Sequence, residues 1–466
     1  MKTVAVILAA GLGTRMKSRV PKVLHPVLGD PSLLWVLRSL PEGIDRALVV
    51  VHHGKSEVAA AMFGWHEEGL IRVQPQPVDQ GQPLGTGHAV QVCAEALDRA
   101  GADRVLILSG DVPLTRTETL QGLIAHEAAL LAMDLDHPGA YGRVLQHPDG
   151  RLEGLVEYKD ASEAQRALRR VNGGIYALPW PPLKAALAGL KNDNAQGEYY
   201  LTDAVAAMAA AVPVAVQVAD AAELMGMNSR ADQARLQALA RNRVNAGWMA
   251  EGITFLDASS ALISPRAKLG RDTVVEPLVR VDADSVVGEG CMLGQGAILC
   301  GANIEDGAEI RPYSVIEGAR VGAGAVVGPF ARLREGTDLA PGVHIGNFVE
   351  TKKAKLGRGA KANHLAYLGD AEIGEGTNIG AGVITCNYDG FAKHKTLIGK
   401  QVFIGSDTQL IAPVKVGDGA IVAAGTTVTQ EVPPGALALS RTSQVNKEGG
   451  AARQREKRKP KSVSQK

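Results

Sequence analysis

The stretch Val315-Ile-Glu-Gly-Ala-Arg-Val-Gly-Ala-Gly-Ala-Val-Val-Gly-Pro-Phe-Ala-Arg-Leu333 carries an aliphatic residue at every sixth position, and the spacing continues to Leu339 and Ile345. Two further sets share it: Val281, Val287, Leu293 and Leu299, then Ile398, Ile404, Leu410, Val416, Val422 and Val428. A period of six fits neither a helix nor a hairpin and is typical of hexapeptide repeats that coil as a parallel β-helix. Glycines that follow many of these residues suit the corners.

The period breaks twice. Ile345 and Ile373 are 28 positions apart, four more than a multiple of six, and Ile379 and Ile398 are 19 apart. We predict two loops that rephase the coil, around residues 350–370 and 387–395. Because insertions in solenoids often build the binding face, we expect chemistry there.

The N-terminal half alternates strands and helices. Continuous apolar runs at 4–8, 47–51 and 105–108 predict strands buried on both faces, and 86–100 predicts helix. This order favours an open, mostly parallel sheet, with ligands at the carboxyl ends of its strands. The predicted class is therefore α/β plus β: a Rossmann-like domain (1–228), a connector helix (229–250), a left-handed parallel β-helix of hexapeptide repeats (251–446) and a basic disordered tail (447–466).

Composition excludes several classes of protein. The 466 residues contain 50 Lys and Arg against 49 Asp and Glu, so a net charge of +1 gives no overall attraction to nucleic acid or membranes. The four cysteines lack C-x-x-C spacing, which argues against zinc and disulfides and favours a reducing, cytoplasmic compartment. We find no membrane-spanning segment in the sequence.

The first candidate site follows the first predicted strand, in Leu8-Ala-Ala-Gly-Leu-Gly-Thr-Arg-Met16 and the pair Pro21-Lys22. Gly11 and Gly13 let backbone amides approach an anion closely. With Arg15 and Lys22 beside them, the turn suits a triphosphate. The alternative is a surface turn with solvated cations.

Asp111 ends the predicted strand at 105–108, so its carboxylate lies at the carboxyl edge of the sheet. A carboxylate facing phosphates needs a cation, and Mg²⁺ prefers oxygen ligands. Otherwise Asp111 only caps the next segment. Leu84-Gly-Thr-Gly-His88 is either a base-binding turn or a helix start capped by Thr86.

These motifs, with Asn194-Ala-Gln-Gly-Glu-Tyr-Tyr-Leu-Thr-Asp203, resemble those of sugar-1-phosphate nucleotidylyltransferases. Together with the hexapeptide half, the chain resembles the bifunctional N-acetylglucosamine-1-phosphate uridyltransferase/glucosamine-1-phosphate acetyltransferase family from about residue 3 to about 447.

The resemblance implies two sets of site residues. The uridine diphosphate-sugar site would contain Leu8, Ala9, Ala10, Gly11, Lys22, Gly85, Thr86, Gly142, Glu157 and Asn172, with Asp111 and Asn228 holding Mg²⁺ and Arg15 stabilising the reacting triphosphate. Uracil would be read by a glutamine: Gln80 has the right spacing to Gly85, and Gln74, Gln76 and Gln82 compete with it.

In the second site, His364 would be the general base that deprotonates glucosamine-1-phosphate for attack on acetyl-CoA. The sugar phosphate would bind Arg334, Lys352, Tyr367, Asn378 and Lys393. Acetyl-CoA would contact Ala381, Asn387, Tyr388, Ser406, Ala424 and Arg441. The resemblance also implies a homotrimer and a product, UDP-N-acetylglucosamine, that feeds peptidoglycan and lipopolysaccharide synthesis.

Two other functions stay open from sequence. One is a single-function nucleotidylyltransferase with a structural or regulatory β-helix, against which His364 and its segment argue. The other is a regulatory subunit without catalysis, against which the intact Arg15, Lys22, Asp111 and Asn228 argue. Cys386 is not expected to act as a nucleophile, because an amine attacks a thioester without a covalent enzyme intermediate.

Overall fold

A computed structural model describes residues 1–458 of the chain. Its contacts divide the chain into two compact units. The first comprises Met1–Gly247 together with Leu262–Pro265, which contains the short strand Leu262–Ile263. The second comprises Trp248–Ala261 and the chain from Arg266 onward.

The first unit is built on one mixed sheet. Across it the strands run in the order Ala215–Val218, Ala129–Asp134, Arg170–Pro179, Arg104–Ser109, Thr3–Leu8, Arg46–Val51 and Gln74–Asp79. The last four are mutually parallel, whereas Arg170–Pro179 is antiparallel to both of its neighbours. Arg143–Gln146 and Leu152–Val156 pair beside this row, and Pro26–Val27 pairs with Asp30–Pro31.

Helices cover both faces of this sheet, as the continuous apolar strands require. In Thr3–Leu8, Ala5 and Ile7 join one buried cluster while Val4 and Val6 join another on the opposite face. The helices are Ser32–Arg38, Lys55–Glu67, Thr86–Gln91, Ala94–Ala100, Thr117–Ala125, Glu163–Arg166, Trp180–Ala188, Leu201–Ala209 and Arg230–Ala250, with 3₁₀ turns at Thr14–Met16 and Lys22–Leu24. The predicted helix at 86–100 is thus two helices.

The second unit is a stack of short parallel strands in three faces, consistent with a left-handed β-helix. The first face contains Thr254–Phe255, Val274–Val275, Met292–Leu293, Glu309–Ile310, Val326–Val327, His344–Asn347, Lys361–His364, Asn378–Ile379, Phe403–Ile404, Ile421–Val422 and Leu437–Ala438. The second contains Arg280–Val281, Ile298–Cys300, Val315–Glu317, Arg332–Leu333, Glu350–Lys352, Tyr367–Gly369, Ile384–Cys386, Gln409–Ile411 and Thr427–Val428. The third contains Lys268–Leu269, Val286–Val287, Asn303–Ile304, Arg320–Val321, Asp338–Leu339, Lys355–Leu356, Ala371–Ile373, Thr396–Ile398 and Val414–Val416.

One inward residue per strand builds the core of the coil, and here the strict period of six is wrong at Val315. Ile316 is the buried residue, while Val315 is half-buried on the outside. The step from Ile316 to Val321 is therefore five positions, and the corner between them holds Gly318 in a left-handed conformation (φ 55°). Leu299 and Ile304 are separated by the same short step, at Gly301.

The predicted loop at 350–370 is wrong for the same reason. These residues form regular strands, and the inward positions Thr351, Leu356, Ala362, Leu368 and Ile373 continue the coil. The steps from Thr351 to Leu356 and from Leu368 to Ile373 are five positions each, with the left-handed residues Lys353 (φ 46°) and Asp370 (φ 47°) at their corners. The prediction of a loop at 387–395 is confirmed, since these residues leave the coil between Ile384–Cys386 and Thr396–Ile398.

The tail differs from the predicted disorder over part of its length. Gly450–Arg458 forms a helix with no buried residue, built from Ala, Arg, Gln, Glu and Lys, which are good helix formers. Residues 459–466 lie outside the described part of the chain. Among residues 1–458, no helix is long and apolar enough to cross a membrane.

Candidate active sites

A cavity of about 470 Å³ opens in the first unit where the parallel strands Thr3–Leu8 and Arg104–Ser109 end. Eleven of the predicted residues line it: Leu8, Ala9, Ala10, Gly11, Arg15, Lys22, Gln80, Gly85, Thr86, Asp111 and Asn228. The carboxyl edge of the sheet therefore gathers residues that are more than 200 positions apart in sequence, as expected for an open α/β sheet.

The glycine turn fits closely over Lys22. Gly13 is left-handed (φ 59°), and a Cβ added there would come within 2.9 Å of the Lys22 Cβ. At Gly11 an added Cβ would lie 3.9 Å from the Lys22 ammonium nitrogen. The two glycines therefore hold the turn against the lysine stem, while Arg15 stays exposed on the 3₁₀ turn Thr14–Met16.

Two acceptor oxygens converge on the Lys22 ammonium group. Lys22 Nζ donates to the Asp111 carboxylate and lies 3.5 Å from the Asn228 side-chain oxygen. The Lys22 and Asp111 side chains are each only 15% exposed. A backbone hydrogen bond from Met227 N to Asp111 O (2.8 Å) fixes the two segments together. A carboxylate and an amide oxygen are ligand types that Mg²⁺ accepts, so Asp111 and Asn228 fit the predicted metal as two of its ligands.

The Leu84–His88 turn is fastened to the segment 194–203. Gly87 N donates to Tyr199 O (2.8 Å), and Tyr199 N donates to Leu84 O (2.8 Å). Thr86 Oγ1 accepts from Leu201 N at 3.1 Å, so this hydroxyl joins the two motifs instead of capping its own helix. The two motifs together form one wall of the cavity.

Gln80 is the glutamine that the cavity wall contains, and Gln74, Gln76 and Gln82 are not among its described lining residues. Its amide nitrogen donates to Gly85 O at 3.0 Å and lies 3.3 Å from His88 Nδ1. The buried amide is thus held rigidly beside the Gly85 turn.

Gly142, Glu157 and Asn172 form a neighbouring group outside that cavity lining. Asn172 N donates to Gly142 O (2.9 Å), and a Cβ on Gly142 would lie 3.4 Å from Glu157 Oε2. Thr202 Oγ1 donates to Glu157 at 3.2 Å. Burial raises the pKa of Glu157, and the hydrogen bond from Thr202 opposes this shift.

The second candidate site follows one corner of the β-helix. The strand registers place Asn347, His364, Ala381, Ser406 and Ala424 at equivalent positions of successive coils. Four of these five are predicted site residues. His364 is exposed at the end of the strand Lys361–His364, and its Nδ1 lies 2.9 Å from Asn347 Oδ1.

A group of cations stands on the second face. The Lys393 side chain beside Lys352 and, more weakly, the Arg334 guanidinium lower the pKa of Lys352. Arg334 also pairs with Glu350 (2.8 Å), which lies beside Tyr367 in the register of the sheet. Two lysines beside one ion-paired arginine leave an excess of positive charge, which favours a phosphate group.

Tyr367 and Asn387 crowd the backbone at Gly369. A Cβ on Gly369 would come within 2.6 Å of the Tyr367 hydroxyl and 2.8 Å of the Asn387 amide nitrogen. That nitrogen donates to Asp370 Oδ2 at 2.5 Å. The start of the 387–395 loop is thereby fixed against the coil that carries Tyr367.

The remaining predicted residues have simpler surroundings. Asn378 is half-buried on the first face between Lys361 and Phe403. Tyr388 is exposed and donates to Gly390 O (2.6 Å). Arg441 is exposed beyond the last strand. Burial raises the pKa of the Cys386 thiol, which disfavours its reactive thiolate form.

Comparison with known proteins decides the family. The MobA-like NTP transferase domain matches residues 5–174, the hexapeptide repeat of succinyl-transferase matches 286–311, and the bacterial transferase hexapeptide matches 395–430. "Bifunctional protein GlmU" of Geotalea uraniireducens is 44% identical and covers 96% of this chain and 98% of its own. That of Alkalilimnicola ehrlichii is 46% identical and covers 94% of each.

The chain belongs to the GlmU family. The "Bifunctional protein GlmU" of Sorangium cellulosum is likewise 46% identical to this chain, over 96% of this chain and 96% of its own. Among solved structures, UDP-glucose pyrophosphorylase complexed with UDP-glucose is 16% identical over 54% of this chain and 100% of its own, with a TM-score of 0.42, so it adds no argument. Membership in this family confirms the resemblance seen in the sequence. It also confirms the predicted function, that of a bifunctional transferase in UDP-N-acetylglucosamine synthesis.

Sequence reasoning missed part of what this GlmU cavity contains. Besides Gly13 of the predicted glycine turn, its lining also includes Leu12, Thr14, Val23, Pro83, Ala89, Ser109 and Glu198. Most of them are neighbours in sequence of predicted residues. Glu198 is the exception, although it lies inside the quoted 194–203 motif. The hydrogen bonds that join this motif to Leu84 and Gly87 bring Glu198 to the cavity, and no spacing could have shown them.

Proposed function

We propose that the two candidate sites divide the two reactions of the family between them. The cavity of the 1–228 domain would carry uridylyl transfer from UTP to N-acetylglucosamine-1-phosphate. The His364 corner of the 251–446 domain would carry acetyl transfer from acetyl-CoA to glucosamine-1-phosphate, which comes first. The convergence of Asp111 and Asn228 on Lys22 is the observation that carries the first assignment.

In uridylyl transfer, the sugar phosphate oxygen attacks the α-phosphorus of UTP and pyrophosphate leaves. Such reactions depend on positioning and charge neutralisation more than on a protein nucleophile. Lys22 and Arg15 line the cavity as cations, and the glycine turn offers backbone amides between them. Mg²⁺ held by Asp111 and Asn228 would neutralise further triphosphate charge. Gln80 would read uracil, and Glu157, Asn172 and Gly142 would bind the sugar.

In acetyl transfer, the amine nitrogen attacks the thioester carbonyl and the carbon–sulfur bond breaks. His364 would accept the proton that the amine loses. Arg334, Lys352 and Lys393 would bind the phosphate of the sugar, and Tyr367 and Asn378 its hydroxyls. The corner column Ala381, Ser406 and Ala424, with Asn387, Tyr388 and Arg441, would contact acetyl-CoA.

The remaining proposals concern the surroundings of the enzyme. Parallel β-helices of hexapeptide repeats suit a homotrimer. The four free cysteines support a cytoplasmic enzyme. The product would enter peptidoglycan and lipopolysaccharide synthesis.

The decisive experiment measures both half-reactions separately with purified full-length protein. Glucosamine-1-phosphate and acetyl-CoA should release free thiol without UTP. N-acetylglucosamine-1-phosphate, UTP and Mg²⁺ should release pyrophosphate without acetyl-CoA. Absence of thiol release alone would overturn the acetyl-transfer assignment, and absence of both would overturn the proposal altogether.

A further inference from the structure

Asn347 and His364 are neighbours across two coils. The strands His344–Asn347 and Lys361–His364 are parallel, and their register sets the two residues directly opposite each other. The His364 Nδ1 and Asn347 Oδ1 atoms are 2.9 Å apart. A backbone bond from Leu365 N to Asn347 O (3.0 Å) closes the same corner, so neither side chain depends on a flexible segment for its place.

The contact determines which ring nitrogen carries the proton. A carboxamide oxygen only accepts hydrogen bonds, so a neutral His364 must carry its proton on Nδ1. The lone pair is then on Nε2, which makes no hydrogen bond within residues 1–458. A general base needs this state: one nitrogen held, the other free toward the substrate.

We propose that Asn347 is a positioning residue for acetyl transfer, which fixes His364 in the tautomer whose Nε2 accepts the proton of the substrate amine. The proposal rests on the proposed function of His364 as the base. The amine nitrogen forms the new bond to the acetyl carbon, its proton passes to Nε2, the carbon–sulfur bond breaks, and the imidazolium returns the proton to the departing thiolate. Asn347 holds Nδ1–H throughout and stabilises the imidazolium.

Two substitutions separate hydrogen bonding from packing. Asn347→Leu keeps the size of the side chain but removes the acceptor, whereas Asn347→Asp keeps an acceptor oxygen. We expect kcat for acetyl transfer to fall roughly 10- to 100-fold in Asn347→Leu, less than the loss of about 10²–10⁴ expected for removal of the base itself. The KM values should stay within about twofold, and Asn347→Asp should retain most of the rate.

Three controls test whether the effect of Asn347→Leu is specific to acetyl transfer and acts through His364. Asn303→Leu alters an exposed asparagine on the third face and should leave both reactions unchanged. Adding Asn347→Leu to His364→Ala should cost nothing more, because Asn347 acts through His364. Uridylyl transfer should be normal in every variant.

These variants distinguish an error in the role of Asn347 from an error in the proposed role of His364. If His364→Ala transfers acetyl groups normally, His364 is not the base and both fall. If His364→Ala is inactive while Asn347→Leu keeps its kcat, only the role of Asn347 is overturned. Equal losses in Asn347→Leu and Asn347→Asp would likewise overturn it, since a packing defect would then explain them.

Discussion

The backbone oxygen of Tyr199 lies only 2.6 Å from the point where Gly85 would carry a Cβ atom. Gly85 also has a φ of 108°, a conformation that other residues resist. The Leu84–His88 wall of the cavity can therefore come this close to the 194–203 segment only because position 85 has no side chain.

Gly85→Ala should consequently damage uridylyl transfer and stability together. The clash is with backbone, which cannot rotate away, so we expect a loss of about 1–3 kcal/mol in the free energy of unfolding. Pyrophosphate release should fall while thiol release is unchanged. Gly81→Ala is the matched control: φ there is 72° but no atom lies within 4 Å, so only backbone strain remains. Similar damage from both variants would show that strain, not the Tyr199 contact, is responsible.

Asp111→Asn should reduce uridylyl transfer by about 10²–10³-fold, the usual cost of removing one stabilising group from a charged transition state. The substitution removes the carboxylate that pairs with Lys22 and that we assign to Mg²⁺. Titration of pyrophosphate release with Mg²⁺ measures the effect, and acetyl transfer should be unaffected. Asp79→Asn, which breaks the exposed pair with Lys55, is the control. Near-normal turnover of Asp111→Asn at low Mg²⁺ would remove Asp111 from the metal site.

Glu157 should make stability depend on pH. Burial raises its pKa above the ordinary value of 4.5, with Asp203 and Asp160 contributing. A carboxyl group with a raised pKa stabilises the fold fully below its unfolded value and loses that contribution as pH rises through the folded value. Glu157→Gln has no charge to bury, so its melting temperature relative to the native chain should increase as the pH is raised from about 4 to 7.

The control for this series is Glu153→Gln, which removes an exposed carboxylate from the strand Leu152–Val156 that directly precedes Glu157. The difference in melting temperature between Glu153→Gln and the native chain should not change with pH. If Glu157→Gln behaves in the same way, the Glu157 carboxylate is not penalised by burial.

The architecture could be predicted from the sequence because it depends on patterns of residues that are close together in the chain. Apolar runs buried on both faces required helices around the sheet, and the glycine turn with Lys22 lay close together in sequence. Which of four glutamines enters the cavity could not be predicted, since spacing does not show the direction of a side chain. Only the bonds of Gln80 to Gly85 and His88 determine it.

The corners of the β-helix show a different limit. Five-residue steps at Gly301 and Gly318 leave a glycine behind, but those at Lys353 and Asp370 place ordinary residues in the left-handed region. Six-residue corners also carry left-handed residues of both kinds, such as Gly324 and Phe330, so residue type does not identify a shortened corner and its missing residue looked like an inserted loop. The register of the neighbouring coils decides such corners, and that register is a long-range property.

The corrected register at residues 315 and 316 can be tested directly. Ile316 is fully buried, so Ile316→Ala should leave a cavity and cost about 2–5 kcal/mol in the free energy of unfolding of the β-helix. Val315 points outward, so Val315→Ala should cost less than about 1 kcal/mol. Urea unfolding of the full chain, followed through loss of acetyl transfer, compares the two. A strict period of six demands the opposite order, because it places Val315 in the core and Ile316 on the surface.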